Sequence, residues 1–266
     1  MIRPLVCVTL EGRTAEELSD DAKTAKELGA DVVEVRLDLL WTKEEKVQAS
    51  GESNTDESSQ GNGFEFQITQ LELDEVDFES ALKTISICTD LPMIMTCRPT
   101  EHGGFYPGTE EERFQILRSA ISCEPSWIDL EVDITGQIRE ELVQLAGDGT
   151  KVIASTHNID NTPSPSEIAQ DIQDSQDLGE IVKACYGTRN RADGLRIFEA
   201  AWELKDSGIN TALMGLGPGG DWVRIHAPLL GQYMVYSTTE SGWHLSQQGR
   251  INASDLKMAW SILEYP

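Results

Sequence analysis

With 266 residues, 39% of them hydrophobic, the chain is long enough to bury one large core, and no apolar run reaches the roughly 18 residues that a membrane span needs. Its 46 acidic residues against 21 basic ones leave a net charge of −25, which argues against nucleic acid and anionic membranes as partners; an anionic ligand must be met by a local cluster of cations. The five cysteines (Cys7, Cys88, Cys97, Cys123, Cys185) are odd in number and lack CxxC spacing, so neither a disulfide framework nor a zinc site is expected. The N-terminal stretch carries no leader pattern, and the chain as given reads as cytoplasmic.

Strand-like runs and helical patterns alternate along the whole chain. The predicted strands are LVCVTL (5–10), DVVEVRLDLL (31–40), PMIMTCR (92–98), SWIDLEVD (126–133), KVIASTH (151–157), EIVKACYGT (180–188), NTALMGL (210–216) and YMVYSTT (233–239). Each is followed by an amphipathic segment, the last being NASDLKMAWSIL, where Asn252 reads as a helix cap rather than a glycosylation acceptor. Eight βα units predict an α/β fold, a TIM (β/α)8 barrel forming a single domain over residues 1–266. Residues 42–75 break the rhythm: they are polar, acidic and rich in Ser, Gly and Asn, and read as a disordered insertion after strand two with no catalytic role.

Strand side chains alternate faces, so placing one residue places its neighbours. With Val33, Val35 and Leu37 packed under helices, Glu34 and Arg36 point into the barrel; the same parity sends Thr96, Arg98, Asp129, Glu131, Ser155, His157 and Lys183 inward. A purely structural barrel interior would be filled with Val, Ile and Leu. Charged groups near the C-terminal ends of five successive strands point instead to an active site, with a structural ion-pair network as the alternative.

Lys183 is the most informative residue, an ammonium group in an otherwise apolar strand. Burial, with Arg36 and Arg98 nearby, is expected to push it toward the neutral, nucleophilic amine. His157 on the adjacent strand is suited to moving protons beside an imine formed on Lys183. Downstream, Gly215, Gly217 and Gly220 match GxGxxG, with Glu240 at about the spacing of a ribose-binding acid. Pro218 interrupts that match and little helix follows, so the loop reads rather as an anion-binding turn whose backbone N–H groups work with Arg224.

Taken together, VEVRLDLL, TCRPTEHGGFYPGTEEER, WIDLEVD, ASTHN, VKACYGT, LMGLG…WVR and SQQGR resemble the type I 3-dehydroquinate dehydratases, lyases of the shikimate pathway and hence of aromatic amino acid biosynthesis, over nearly the whole chain outside 42–75. The resemblance implies that Lys183 forms an imine with the substrate ketone and that His157 is the general acid and base. It further implies that Glu34, Arg36 and Arg98 hold substrate hydroxyls, that Arg224 and Ser246 receive the carboxylate, and that Met214 packs nearby. It calls for no metal or organic cofactor, and the partner it implies is a small molecule, 3-dehydroquinate; a homodimer remains open.

Three departures stand out. His102 occupies the place of the Glu usual before the paired glycines, the loop between Met214 and Arg224 is two residues longer than usual, and SQQGR puts Arg250 where a carboxylate-binding Gln is expected. Arg250 is therefore expected to bind the substrate carboxylate directly, or else to pair with surface acids. Two other readings stay open: a class I Schiff-base aldolase, and a catalytically degenerate barrel that only binds a metabolite.

Overall fold

The computed structural model describes residues 3–48 and 64–265. In chain order the elements are β1 (Leu5–Leu10), α1 (Ala15–Glu27), β2 (Val32–Arg36), β3 (Thr42–Gln48), β4 (Phe64–Gln70), α2 (Phe78–Ile85), β5 (Met93–Thr96), α3 (Glu110–Ile121), β6 (Trp127–Glu131) and α4 (Gly136–Ala146). They continue with β7 (Lys151–Asn158), α5 (Pro165–Asp174), β8 (Ile181–Gly187), α6 (Arg191–Leu204), β9 (Thr211–Leu216), α7 (Asp221–Ile225), β10 (Met234–Ser237), α8 (His244–Gln247) and α9 (Ala253–Ile262).

All eight predicted barrel strands form. They lie side by side in the order β10-β1-β2-β5-β6-β7-β8-β9, every adjacent pair parallel. Strands β9 and β10 meet where Tyr233 donates its backbone N–H to the Thr211 carbonyl at 2.9 Å and the Gln232 side chain accepts from Leu213 N at 2.7 Å. The result is a (β/α)8 barrel. Helix starts follow their local chemistry: Thr109 and Ser164 begin α3 and α5 with reciprocal capping boxes, and Asn252 caps α9 by accepting from Ser254 N at 2.8 Å.

Strand parity divides the core in two. Val33, Val35, Met95, Ile128 and Leu130 pack outward against Leu18, Leu82, Leu117 and Leu142 of the helices. Val32, Ile94, Trp127, Ile153 and Ile181 point inward and fill the N-terminal end of the barrel. That apolar plug leaves the next inward positions, toward the strand C-termini, for polar groups.

The second predicted strand is shorter than expected. It ends at Arg36, and Leu37–Trp41 turn into a 3-10 segment that buries Asp38 completely. Of the insertion at 42–75, the two ends pair as an antiparallel ribbon, with Thr42 opposite Gln70 and Glu44 opposite Ile68; the stretch 49–63 lies outside the described residues. Among the described residues no helix is long and apolar enough to cross a membrane.

Candidate active site

Two residues further along each strand than the apolar plug, Glu34, Thr96, Asp129, Ser155 and Lys183 form a connected polar layer. Lys183 Nζ donates to Glu34 Oε1 at 2.8 Å and to Asp129 Oδ2 at 3.0 Å. It also sits 4.1 Å from the centre of the Tyr236 ring, a cation–π contact from β10. Glu34 accepts in addition from Thr9 at 2.8 Å and Thr96 at 3.0 Å. The ammonium is only 4% exposed, and its neighbours decide its charge. Burial pushes Lys183 toward the neutral amine, but the carboxylates of Asp129 and Glu34 outweigh burial and the opposing Arg98, so its pKa lies above the ordinary lysine value. This corrects the expectation of a resting neutral amine: positive arginines are present, but two carboxylates stand closer.

Arg98 ties the layer to the next. It donates to Asp129 at 2.9 Å, to Glu131 at 2.6 Å and to Ser155 at 2.9 Å, and Ser155 in turn bonds Asp129. Glu131 also accepts from Arg113 of α3 at 2.9 Å, and Arg113 reaches the Cys97 carbonyl at 2.8 Å. Burial opposes ionisation of Asp129, yet Arg98 and Lys183 overcome it and hold that carboxyl well below the usual range. Arg98 is thus closed into a scaffold of buried acids, while its edge still borders the cavity.

Arg36 is fixed by a bidentate pair with Asp38, at 2.8 and 2.7 Å. Asp38 also accepts from the backbone N–H of Arg98 at 3.2 Å and of Phe105 at 3.0 Å, binding the ends of β2 and β5 and the following loop to one carboxylate.

Two connected lobes open at the C-terminal end of the barrel. One, of about 280 Å³, is lined by Glu34, Lys183, Met214, Arg224, Tyr236 and Arg250 among others. The second, of about 330 Å³, is lined by Arg36, Arg98, His102, His157 and Ile159, and both are bordered by Glu34, Arg36, His157 and Lys183. His157 is thereby placed in the same space as Lys183. Burial, then Arg98 and Lys183, push its pKa well below the ordinary histidine value, so the imidazole is neutral at pH 7 and available as a base.

The far end of the first lobe differs from expectation. Arg224 is buried and gives all its hydrogen bonds to backbone carbonyls: Tyr236 at 3.0 Å, Gly215 at 2.8 Å, Gly220 at 2.8 Å and Gly249 at 2.5 Å. Burial without a bonded carboxylate pushes it down to about 10. The glycine loop therefore turns carbonyls toward this cation, and the N–H groups of Gly217 and Gly220 are spent on Gln248 and Gly217 carbonyls at 2.9 and 3.0 Å; the expected N–H nest for an anion is not built. A Cβ on Gly217 would lie 2.1 Å from the Thr188 carbonyl oxygen and one on Gly220 2.3 Å from that of Gly215, so these glycines serve close packing.

Arg250 borders the lobe but is also engaged by acids: it pairs with Glu11, lies 3.4 Å from Glu240 and donates to Thr238 at 2.9 Å. Ser246 is exposed, donates to Asp221 at 3.2 Å and does not border the cavity.

Thr9, Asp38 and Tyr236 carry structural weight that the sequence reading missed. Tyr236 shares strand parity with Met234 of the inner core, and that alternation was the available signal. Asp38 lies two residues beyond Arg36 in the stretch VEVRLDLL, but its role depends on the chain turning back after β2.

A family model described as type I 3-dehydroquinase matches residues 6–265. A 3-dehydroquinate dehydratase of Methanopyrus kandleri is 28% identical over 234 residues, covering 88% of this chain and 89% of that protein. A bifunctional 3-dehydroquinate dehydratase/shikimate dehydrogenase of Arabidopsis thaliana is 28% identical over 95% of this chain and 36% of its own length. Among solved structures, a type I 3-dehydroquinate dehydratase from Clostridium difficile, with covalently modified comenic acid, superposes with a TM-score of 0.75 at 20% identity, covering 98% of this chain and 92% of that one. A 3-dehydroquinate dehydratase from Geobacillus kaustophilus gives 0.76 at 17%, over 98% and 91% of the two chains.

Proposed function

Since the chain belongs to the type I 3-dehydroquinase family and is on that ground a hydro-lyase, we propose that it dehydrates 3-dehydroquinate to 3-dehydroshikimate through an imine on Lys183, with His157 as acid and base. The observation that carries this reading is the placement of a buried lysine, held by Glu34 and Asp129, in one cavity with a neutral imidazole. Family membership takes the place of the aldolase alternative.

The resting ammonium must first lose a proton, and Glu34 is the near acceptor at 2.8 Å. The free amine adds to the ketone, the carbinolamine loses water, and a protonated imine remains. That cation draws electrons from the neighbouring carbon, whose proton becomes acidic enough for His157 to remove. The protonated imidazole returns a proton to the departing hydroxyl, which leaves as water, and hydrolysis of the imine frees Lys183. Arg36, clamped by Asp38, and Glu34 are the polar groups that face substrate hydroxyls; Arg98 acts mainly by holding Asp129 and Glu131 in place.

The carboxylate is placed at the Arg224 end. There a buried guanidinium bonds only neutral carbonyls, beside Met214 and Arg250. Ser246 joins this end only if the segment around α8 moves inward from its contact with Asp221. The reaction places the chain in the shikimate pathway and asks for no cofactor.

Borohydride added during turnover of 3-dehydroquinate should fix a covalent adduct on Lys183, read by peptide mass spectrometry, and Lys183→Ala should abolish both adduct and turnover. Turnover with labelling elsewhere, or with none, would sink the assignment.

A further inference from the structure

We propose that Tyr236 is a positioning residue for the Lys183 imine, its hydroxyl supplying Glu34 with the hydrogen bond that the nitrogen gives up; the inference rests on the imine reading above. Tyr236 borders the first lobe together with Lys183 and Glu34. The centre of its ring lies 4.1 Å from Lys183 Nζ, yet its hydroxyl is closed off from solvent and has no hydrogen-bond partner among the described residues. A buried hydroxyl left without a partner is unfavourable in the resting fold, which directs attention to another state of the site. Burial and then Glu34 push the phenol well above its ordinary pKa, so it keeps its hydrogen and remains a donor. Of the charged groups around it, Glu34 acts on it most strongly.

The need for such a donor arises when Lys183 reacts. The resting ammonium gives one bond to Glu34 at 2.8 Å and one to Asp129 at 3.0 Å. On the way to the imine the nitrogen loses two of its three hydrogens, the first to Glu34 and the second to the former ketone oxygen. Glu34 then passes its proton to the same oxygen, which leaves as water, and the acid is a carboxylate again. The protonated imine keeps a single N–H, and two acceptors now face it. Asp129 retains Arg98 and Ser155 as donors. Glu34 retains only the neutral hydroxyls of Thr9 and Thr96, because Lys183 is its one ion-pair partner among the described residues. The carboxylate of Glu34 is therefore the group left short of a donor. Attachment to the substrate also draws Nζ toward the ketone carbon in the lobe. Since that nitrogen stands against both the Tyr236 ring and Glu34, its displacement gives up the space across which the phenol reaches the carboxylate.

Tyr236→Phe keeps the ring and removes only the hydroxyl. With 3-dehydroquinate well below KM, borohydride labelling of Lys183 and kcat/KM should each fall by about tenfold, the scale of one hydrogen bond to a charged group. Two other measurements separate this role from a structural one. In urea the free variant should be no less stable than the parent, because the resting hydroxyl makes no bond that could be lost. The alcohol analogue of the substrate, in which a hydroxyl replaces the ketone, forms no imine and should bind both proteins with the same Kd. Labelling and kcat/KM unchanged from the parent overturn the proposal. So does a loss of stability or of analogue affinity that matches the kinetic loss, which would make the hydroxyl a packing group or a direct ligand of the substrate. Turnover by the parent without label on Lys183 overturns the imine reading itself, and this inference with it.

Discussion

Lys183 and Arg98 share one oxygen: Asp129 Oδ2 accepts from the ammonium at 3.0 Å and from the guanidinium at 2.9 Å. Two cations are thereby drawn together in the barrel interior, and Glu34 and Glu131 complete the compensation on either side. Removing any one charge leaves others buried without a partner, which is expensive in a low-dielectric interior. The site is accordingly coupled to the stability of the barrel.

Lys183→Met should destabilise the protein by about 3 kcal/mol, the range for breaking a buried pair from one side. The double variant Lys183→Met, Glu34→Gln should recover part of that loss, since the carboxylate stranded by the first change is neutralised by the second. Urea unfolding of both decides it; a double variant less stable than the single would show that packing, rather than charge pairing, sets the effect.

His157→Ala should retain borohydride trapping at Lys183 while turnover falls by about 10²–10⁴, the contribution of a positioned acid–base group. Near-normal turnover would remove His157 from the mechanism.

Arg250→Gln should raise KM several-fold with a smaller change in kcat, because a charge-assisted bond to a carboxylate contributes about 1.5–3 kcal/mol where a neutral one contributes about 1. The parent's KM should also respond more steeply to added salt. An unchanged KM at low ionic strength would assign the guanidinium to Glu11 and Glu240 alone.

Acid should weaken the fold in two windows. His157 has a folded pKa well below the ordinary value, so from about pH 6.5 downward the unfolded chain takes up a proton that the folded chain refuses, and stability falls. Glu34, Asp38 and Asp129 are also lowered, burial being outweighed by Lys183, Arg36 and Arg98 respectively. Their contribution is present above about pH 4 and is lost as pH drops toward their folded values. Melting temperatures between pH 7 and pH 3 test this; His157→Gln should flatten the upper window and leave the lower one.

Eight strands, their order as βα units and the inward set Glu34, Arg36, Arg98, Asp129, Glu131, His157 and Lys183 were all legible in the amino-acid sequence. The reason is covalent: alternation of side chains along an extended backbone has a period of two, so a run such as VVEVR declares which residues share a face before any partner is known. The protonation of Lys183, the Asp38 clamp on Arg36, the carbonyl cage of Arg224 and the acids around Arg250 were decided only by the tertiary structure. Each depends on a few ångströms between groups far apart in the chain, and the sign of a charge effect reverses with which neighbour is nearer. Arg36 and Arg98 could be read as neighbours of Lys183, but that Glu34 and Asp129 lie within 3.0 Å of its nitrogen is a fact of barrel closure, and Coulomb energy is set by that distance.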